Sequence, residues 1–279
     1  MERGGKIEGY KLDITKALAT LEARSNKYLA NLPVWYQYIV WTYTLGSQAV
    51  NRRLVGIPLK PKGENEWTLR LFEFFDYGIE NIGKNFKRFT KFFENPKLHS
   101  SLPIDKQNEI SQVCLDSYTI DLQRTILGCP PTIGDIIVYK ASTPYDVKLT
   151  ENKFPYTLEQ TPFNSTTYDP WFDFNAFLGS NQDTCCLWEI LIPKGSRVLA
   201  IAHPFQAYLT EREVLLPFDS EFVVHGARQV PMSYYLDREA PIRTQGEKPR
   251  IGEVFRHDNW DNRPKSIKNM RMLEATFVQ

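Results

Sequence analysis

The sequence predicts an α+β protein, with its helices gathered in the first half and short strands in the second. Two observations carry that expectation. Up to Leu127 the apolar residues recur at the spacing of one helix face, whereas after Gly128-Cys129-Pro130-Pro131 they form short β-type runs separated by Pro, Gly, Asn and Asp. Helices first and strands second is the pattern of this class.

Taken in order, Asp13 to Leu32 reads as an amphipathic helix that Asp13 can cap and Pro33 ends. Pro33 then opens an aromatic helix through Tyr43, and Gly46 separates it from Ser47 to Leu54. The aromatic residues here are expected in the core. Helical patterns follow between Trp67 and Phe93 and from Asp105 to Leu127, the last with Ile110, Val113 and Cys114 facing inward. Strands are expected at Ile136–Tyr139, Leu187–Ile192, Val198–Ile201, Val214–Leu216, Phe222–Val224 and Met270–Val278, with a short one near Ile251–Phe255. We divide the chain into a helical extension, 1–34, expected to brace the sheet, with partner binding as the alternative, and a main domain, 35–279.

Composition narrows the function classes. With 279 residues, 42% of them hydrophobic and 13% aromatic, the chain can bury a large core and is not a disordered polymer. Its formal net charge of +1 supplies no field for polyanions, so no nucleic-acid partner is expected. The basic and aromatic stretch Asn85–Phe93 reads instead as an amphipathic helix, because Phe86, Phe89 and Phe93 fall on one side. No apolar run approaches the ~20 residues that cross a bilayer, and Met1 to Ile7 lacks the apolar core of a secretory signal. A soluble, cytoplasmic protein with no membrane partner is the expectation. Cys114, Cys129, Cys185 and Cys186 lack zinc-type spacing, and the four histidines form no ligand pattern, so neither a metal nor a disulfide framework is expected.

One stretch points to chemistry. In Tyr208-Leu-Thr-Glu211-Arg212-Glu213-Val-Leu-Leu216, an extended backbone would put Glu211 and Glu213 on one face and Arg212 on the other. Two acids at the mouth of a buried strand repel each other and lose hydration unless a cation or polar ligand meets them. An isolated pair of this kind is ordinarily a solvated strand edge, so its surroundings decide. Those surroundings are the strand end Val138-Tyr139-Lys140-Ala141-Ser142, then Phe163-Asn164-Ser165-Thr166-Thr167, then Glu211-Arg212-Glu213, together with Trp41 to Leu54 and Ile192-Pro-Lys-Gly195.

In that order the segments resemble the ADP-ribosyltransferases of the Arg-Ser-Glu type, which include the C3-like and binary-toxin exoenzymes. The resemblance implies a mixed, mainly antiparallel two-sheet core, and transfer of ADP-ribose from NAD to a protein. It implies that Glu213 hydrogen-bonds the nicotinamide-ribose and stabilises its cationic transition state, that Ser165 holds Glu213, and that Thr166 and Thr167 complete the hydroxyl-rich strand. Glu211 would orient an arginine acceptor through a bidentate pair. Lys140, preceded by Tyr139, stands where the family usually has the arginine that contacts NAD; lysine keeps the charge but loses the fork. Phe174, with Trp171, Phe172 and Phe177, would stack on nicotinamide or serve as core, and Phe205 and Tyr208 would contact the acceptor. The activity implied is mono-ADP-ribosyl transfer to arginine with side hydrolysis of NAD. The alternative is a silent member of the fold with a structural or binding role.

Overall fold

The computed structural model describes residues 4–45, 47–57, 104–142, 154–168, 185–206, 212–231 and 269–279. Among them are helices α1 (Gly4–Asn31), α2 (Val34–Leu45), α3 (Gln48–Leu54) and α4 (Ile104–Gly128). The strands follow: β1 (Ile136–Ser142), β2 (Tyr156–Gln160), β3 (Asn164–Thr167), β4 (Cys185–Ile192), β5 (Leu199–Ile201), β6 (Glu213–Leu216), β7 (Ser220–Pro231) and β8 (Asn269–Val278). Helices precede strands, as the change of apolar period after Leu127 predicts. The helix expected within 67–93 and the strand expected at 251–255 lie outside the described residues.

Local chemistry explains the helix boundaries. α1 begins at Gly4, well ahead of the expected Asp13 cap, because no proline interrupts the preceding residues and Gly9 costs a helix only about 1 kcal/mol. Pro33 cannot continue α1, yet its carbonyl accepts the Tyr36 amide at 3.0 Å and so starts α2. The aromatics of α2 are core as expected, with Tyr38, Trp41 and Tyr43 all buried.

On α4 the inward face differs from the expected one. Leu115, Tyr118, Leu122 and Ile126 are fully buried, whereas Val113 is 62% exposed and continues outward through Ile120 and Leu127. The 3.6-residue period admits one apolar stripe at a time, and the stripe anchored by Tyr118 is the one that meets α2. The far end of α4 is tied down by Arg197, whose guanidinium donates to the carbonyls of Leu127 and Cys129 at 3.1 and 3.0 Å. Carbonyls in the last turn of a helix have no partner within it, so this contact satisfies one of them. Arg197 can reach there because Gly195, at φ 95°, turns the chain between β4 and β5.

Ladder hydrogen bonds join all eight strands into one sheet in the order β2-β7-β8-β4-β1-β3-β6-β5. Among the described strands only β4 and β8 pair in parallel, so the sheet is mixed and mainly antiparallel. The ladders do not themselves divide it into the two sheets implied by the family resemblance. The connection between β2 and β3 nevertheless forces it to curl. Five strand spacings separate β2 from β3 in that order, about 24 Å across a flat sheet, while the link from Gln160 to Asn164 can stretch only about 14 Å. The sheet therefore folds back and encloses one of its faces.

That enclosed face holds Trp188, Phe222 and Phe277, with ring centroids 6.0 and 5.9 Å apart along the series. The opposite face of the β3-β6-β5 end, carrying Leu199, Ile201 and Leu215, packs with Phe163 against α2 and α4. α1 contributes to both cores and lies against β5 at the sheet's edge, where Ser25 Oγ accepts the Ala200 amide at 3.3 Å. Covering an edge strand in this way removes a template for further pairing.

Candidate active site

The ladders fix which candidate residues meet. Residues directly paired across antiparallel strands project to the same side. Thr167 pairs with Glu213 and also with Tyr139, while Ser165 pairs with Leu215. Ser165, Thr167, Tyr139 and Glu213 thus share the helix-facing side, and Asn164, Thr166 and Lys140 project to the enclosed one.

Ser165 and Glu213 meet directly. The serine hydroxyl donates to Glu213 Oε1 at 2.5 Å, a short charge-assisted bond. Glu213 is 3% exposed, whereas Ser165 is open to solvent. Behind them stand phenols from α2 and α4. Burial above all, and then the charge of Glu213, pushes the Tyr43 hydroxyl well up, and Asn51 donates to it at 3.3 Å. Tyr118 is raised chiefly by burial, with Tyr43 and Glu213 adding to it, and its hydroxyl donates to the Ile39 carbonyl at 2.6 Å. Neutral phenols therefore wall the buried side of the acid. A carboxyl group fixed at one end by a hydroxyl and kept from bulk water can stabilise positive charge on a neighbouring sugar far better than a solvated one.

Thr166 and Thr167 are both buried. Thr166 donates to the Val214 carbonyl at 2.6 Å and so locks β3 to β6 on the enclosed face. Lys140 is not brought to Ser165 and Glu213. Its ammonium donates to Gln160 Oε1 at 2.7 Å and to Asn164 Oδ1, clasping both ends of the β2–β3 link.

β6 starts at Glu213, and Arg212 before it has a left-handed φ of 44°, so the chain is not extended at Arg212. Glu211 itself, Tyr208, Phe174, Trp171, Phe172 and Phe177 lie outside the described residues. Phe205, expected as an acceptor contact, is 4% exposed within the helix-facing core.

No local pattern points to Gln160 and Asn164, which bind Lys140, or to Tyr168, which contacts Arg212 beside Glu213 and is itself held by Glu22. Tyr43 and Asn51 could have been found, since both lie in the Trp41–Leu54 stretch that carried part of the resemblance. Among the described residues, no group of three or more His, Cys, Asp or Glu side chains gathers to hold a metal, and no helix is long and apolar enough to cross a membrane.

Comparison with known proteins agrees with this geometry at the level of fold. No family model and no curated protein matches the sequence. Plx2a, an ADP-ribosyltransferase toxin from Paenibacillus larvae, superposes with a TM-score of 0.50 at 13% identity, over 96% of this chain and 97% of that one. The ATR domain of Salmonella SpvB does so with a TM-score of 0.51 at 15% identity, over 88% and 98%. BECa, the ADP-ribosylating toxin of a C. perfringens binary enterotoxin solved with NADH, gives 0.50 at 13% identity; 95% of this chain is covered but 48% of BECa, so this chain spans about half of BECa's length. The chain has the fold of the ADP-ribosyltransferase toxins, the class its ordered motifs resemble.

Proposed function

We propose that the protein is a mono-ADP-ribosyltransferase that moves ADP-ribose from NAD to an arginine of a protein acceptor, and hydrolyses NAD slowly when water takes the acceptor's place. The observation that carries this reading is the 2.5 Å hydrogen bond from Ser165 to the buried acid Glu213, within a toxin-type transferase fold. In the reaction the bond between nicotinamide N1 and ribose C1′ breaks, and its electron pair leaves with nicotinamide. Positive charge then spreads over C1′ and the ring oxygen. Glu213, oriented by Ser165, stabilises that charge and hydrogen-bonds the ribose hydroxyl. An acceptor guanidinium nitrogen bonds to C1′ and releases a proton. Glu211 pairs with the guanidinium and orients it, Phe205 and Tyr208 belong to the acceptor-recognition turn, and Phe174 stacks on nicotinamide.

The test is transfer of radiolabel from adenylate-labelled NAD to proteins of a cell extract and to a free guanidino compound such as agmatine. Label on both, lost in a folded Glu213→Gln variant, supports the reading. No label and no nicotinamide release from the folded wild-type chain would favour the silent alternative.

A further inference from the structure

Between Ser165 and Glu213 the two strands are joined by a second, less obvious grip. β3 ends at Thr167, and Tyr168 turns toward the enclosed side, where it is 7% exposed. Its hydroxyl donates to Glu22 Oε2 of α1 at 2.5 Å. Its amide donates to the Arg212 carbonyl at 3.3 Å, and the Arg212 guanidinium carbon lies 5.5 Å from its ring centroid. One residue thus holds Arg212 by backbone and by ring face.

Arg212 needs holding. At φ 44° an L-residue is in an unfavourable conformation that persists only where its surroundings enforce it. It directly precedes Glu213, so its conformation sets how the chain enters β6 and where that carboxyl sits. The carboxylate of Glu22 strengthens the grip from behind, because a phenol donating to an anion carries more electron density in its ring and attracts a cation more strongly.

We infer that Tyr168 is a positioning residue for Glu213, and that Glu22 makes α1 part of the active-site support through a carboxylate–phenol–guanidinium relay that maintains the left-handed Arg212. The inference deepens the proposed function and rests on it for its kinetic consequence. It assigns to the N-terminal helix a role in turnover beyond covering the sheet edge.

The test uses the full chain with Glu22→Gln, Tyr168→Phe and Tyr168→Leu. If the relay sets the position of Glu213, kcat for nicotinamide release falls roughly 3-fold in Glu22→Gln and Tyr168→Phe and about 10-fold in Tyr168→Leu, with KM for NAD changed less than about twofold. Hydrogen exchange at the Glu213 and Val214 amides should quicken in the first two variants while the β8 amides stay unchanged. Unaltered exchange at Glu213 and Val214, or kcat at the wild-type value in Tyr168→Phe and Glu22→Gln alike, overturns the inference. Should the wild-type chain release no nicotinamide, the transferase reading fails, and the exchange comparison, which needs no substrate, still decides the relay.

Discussion

Lys140 and Glu213 project from opposite faces of the same sheet, even though their strands are separated only by β3. Lys140 is engaged by Gln160 and the fully buried Asn164, next to Ser165 in the chain. Its first effect is therefore to hold the β2–β3 link in place. Lys140→Met should lower stability by roughly 1–3 kcal/mol, since two amide oxygens lose a charged donor. Its NAD dissociation constant should move little, and Lys140→Arg should leave that constant unchanged as well. Thermal unfolding and calorimetric NAD titration of the two variants check this.

Ser165→Ala removes the donor to Glu213 Oε1 without changing the strand. Losing one preorganised hydrogen bond in a catalytic site typically costs on the order of 10² in rate. We expect kcat for nicotinamide release to fall by about that factor while KM for NAD stays near its wild-type value. Steady-state kinetics measure both.

The helix-facing core makes stability depend on alkaline pH. Burial pushes Tyr38 up to about 12 and raises Tyr43 and Tyr118 as well, the latter two also feeling Glu213. Between the unfolded phenol value near 10 and these raised values, the folded chain keeps protons that the unfolded chain has lost. Stability from these groups is thus fully present below about pH 10 and declines as pH rises above it. Denaturant titrations from pH 8 to pH 11 should show a plateau and then a fall, and the fall should be shallower in Tyr43→Phe.

Glu211→Gln should separate transfer from hydrolysis. If Glu211 orients the guanidinium and Glu213 stabilises the sugar cation, labelling of agmatine should collapse in the variant while nicotinamide release in water persists within about threefold. Parallel assays of label and free nicotinamide on one sample give the comparison.

Much of this fold was legible in the chain because its cues are local. The switch from helical to strand period falls at the Gly128-Cys-Pro-Pro131 break, where α4 stops and β1 begins soon after. The pairing of Ser165 with Glu213 was legible only through the order of short motifs, since nothing in either segment alone specifies that β3 and β6 become neighbours. What could not be read were features set by register and backbone strain. The side to which Lys140 points depends on its pairing two strands from β6, and a one-residue slip would reverse it. The left-handed Arg212 is equally silent, because arginine carries none of the preference for that conformation that glycine or asparagine would advertise. Val113 looked inward for a related reason: α4 offers two apolar stripes, and only packing against α2 chooses between them.

In the proposed reaction Glu213, held by Ser165, stabilises a ribose that becomes cationic as nicotinamide departs. The rate of nicotinamide release from NAD by Glu213→Gln, which keeps the shape of the side chain and removes its charge, measures that role. In that variant kcat should fall by about 10²–10³ with NAD binding and folding retained. Release by a folded Glu213→Gln protein at a rate within about twofold of wild type would contradict it.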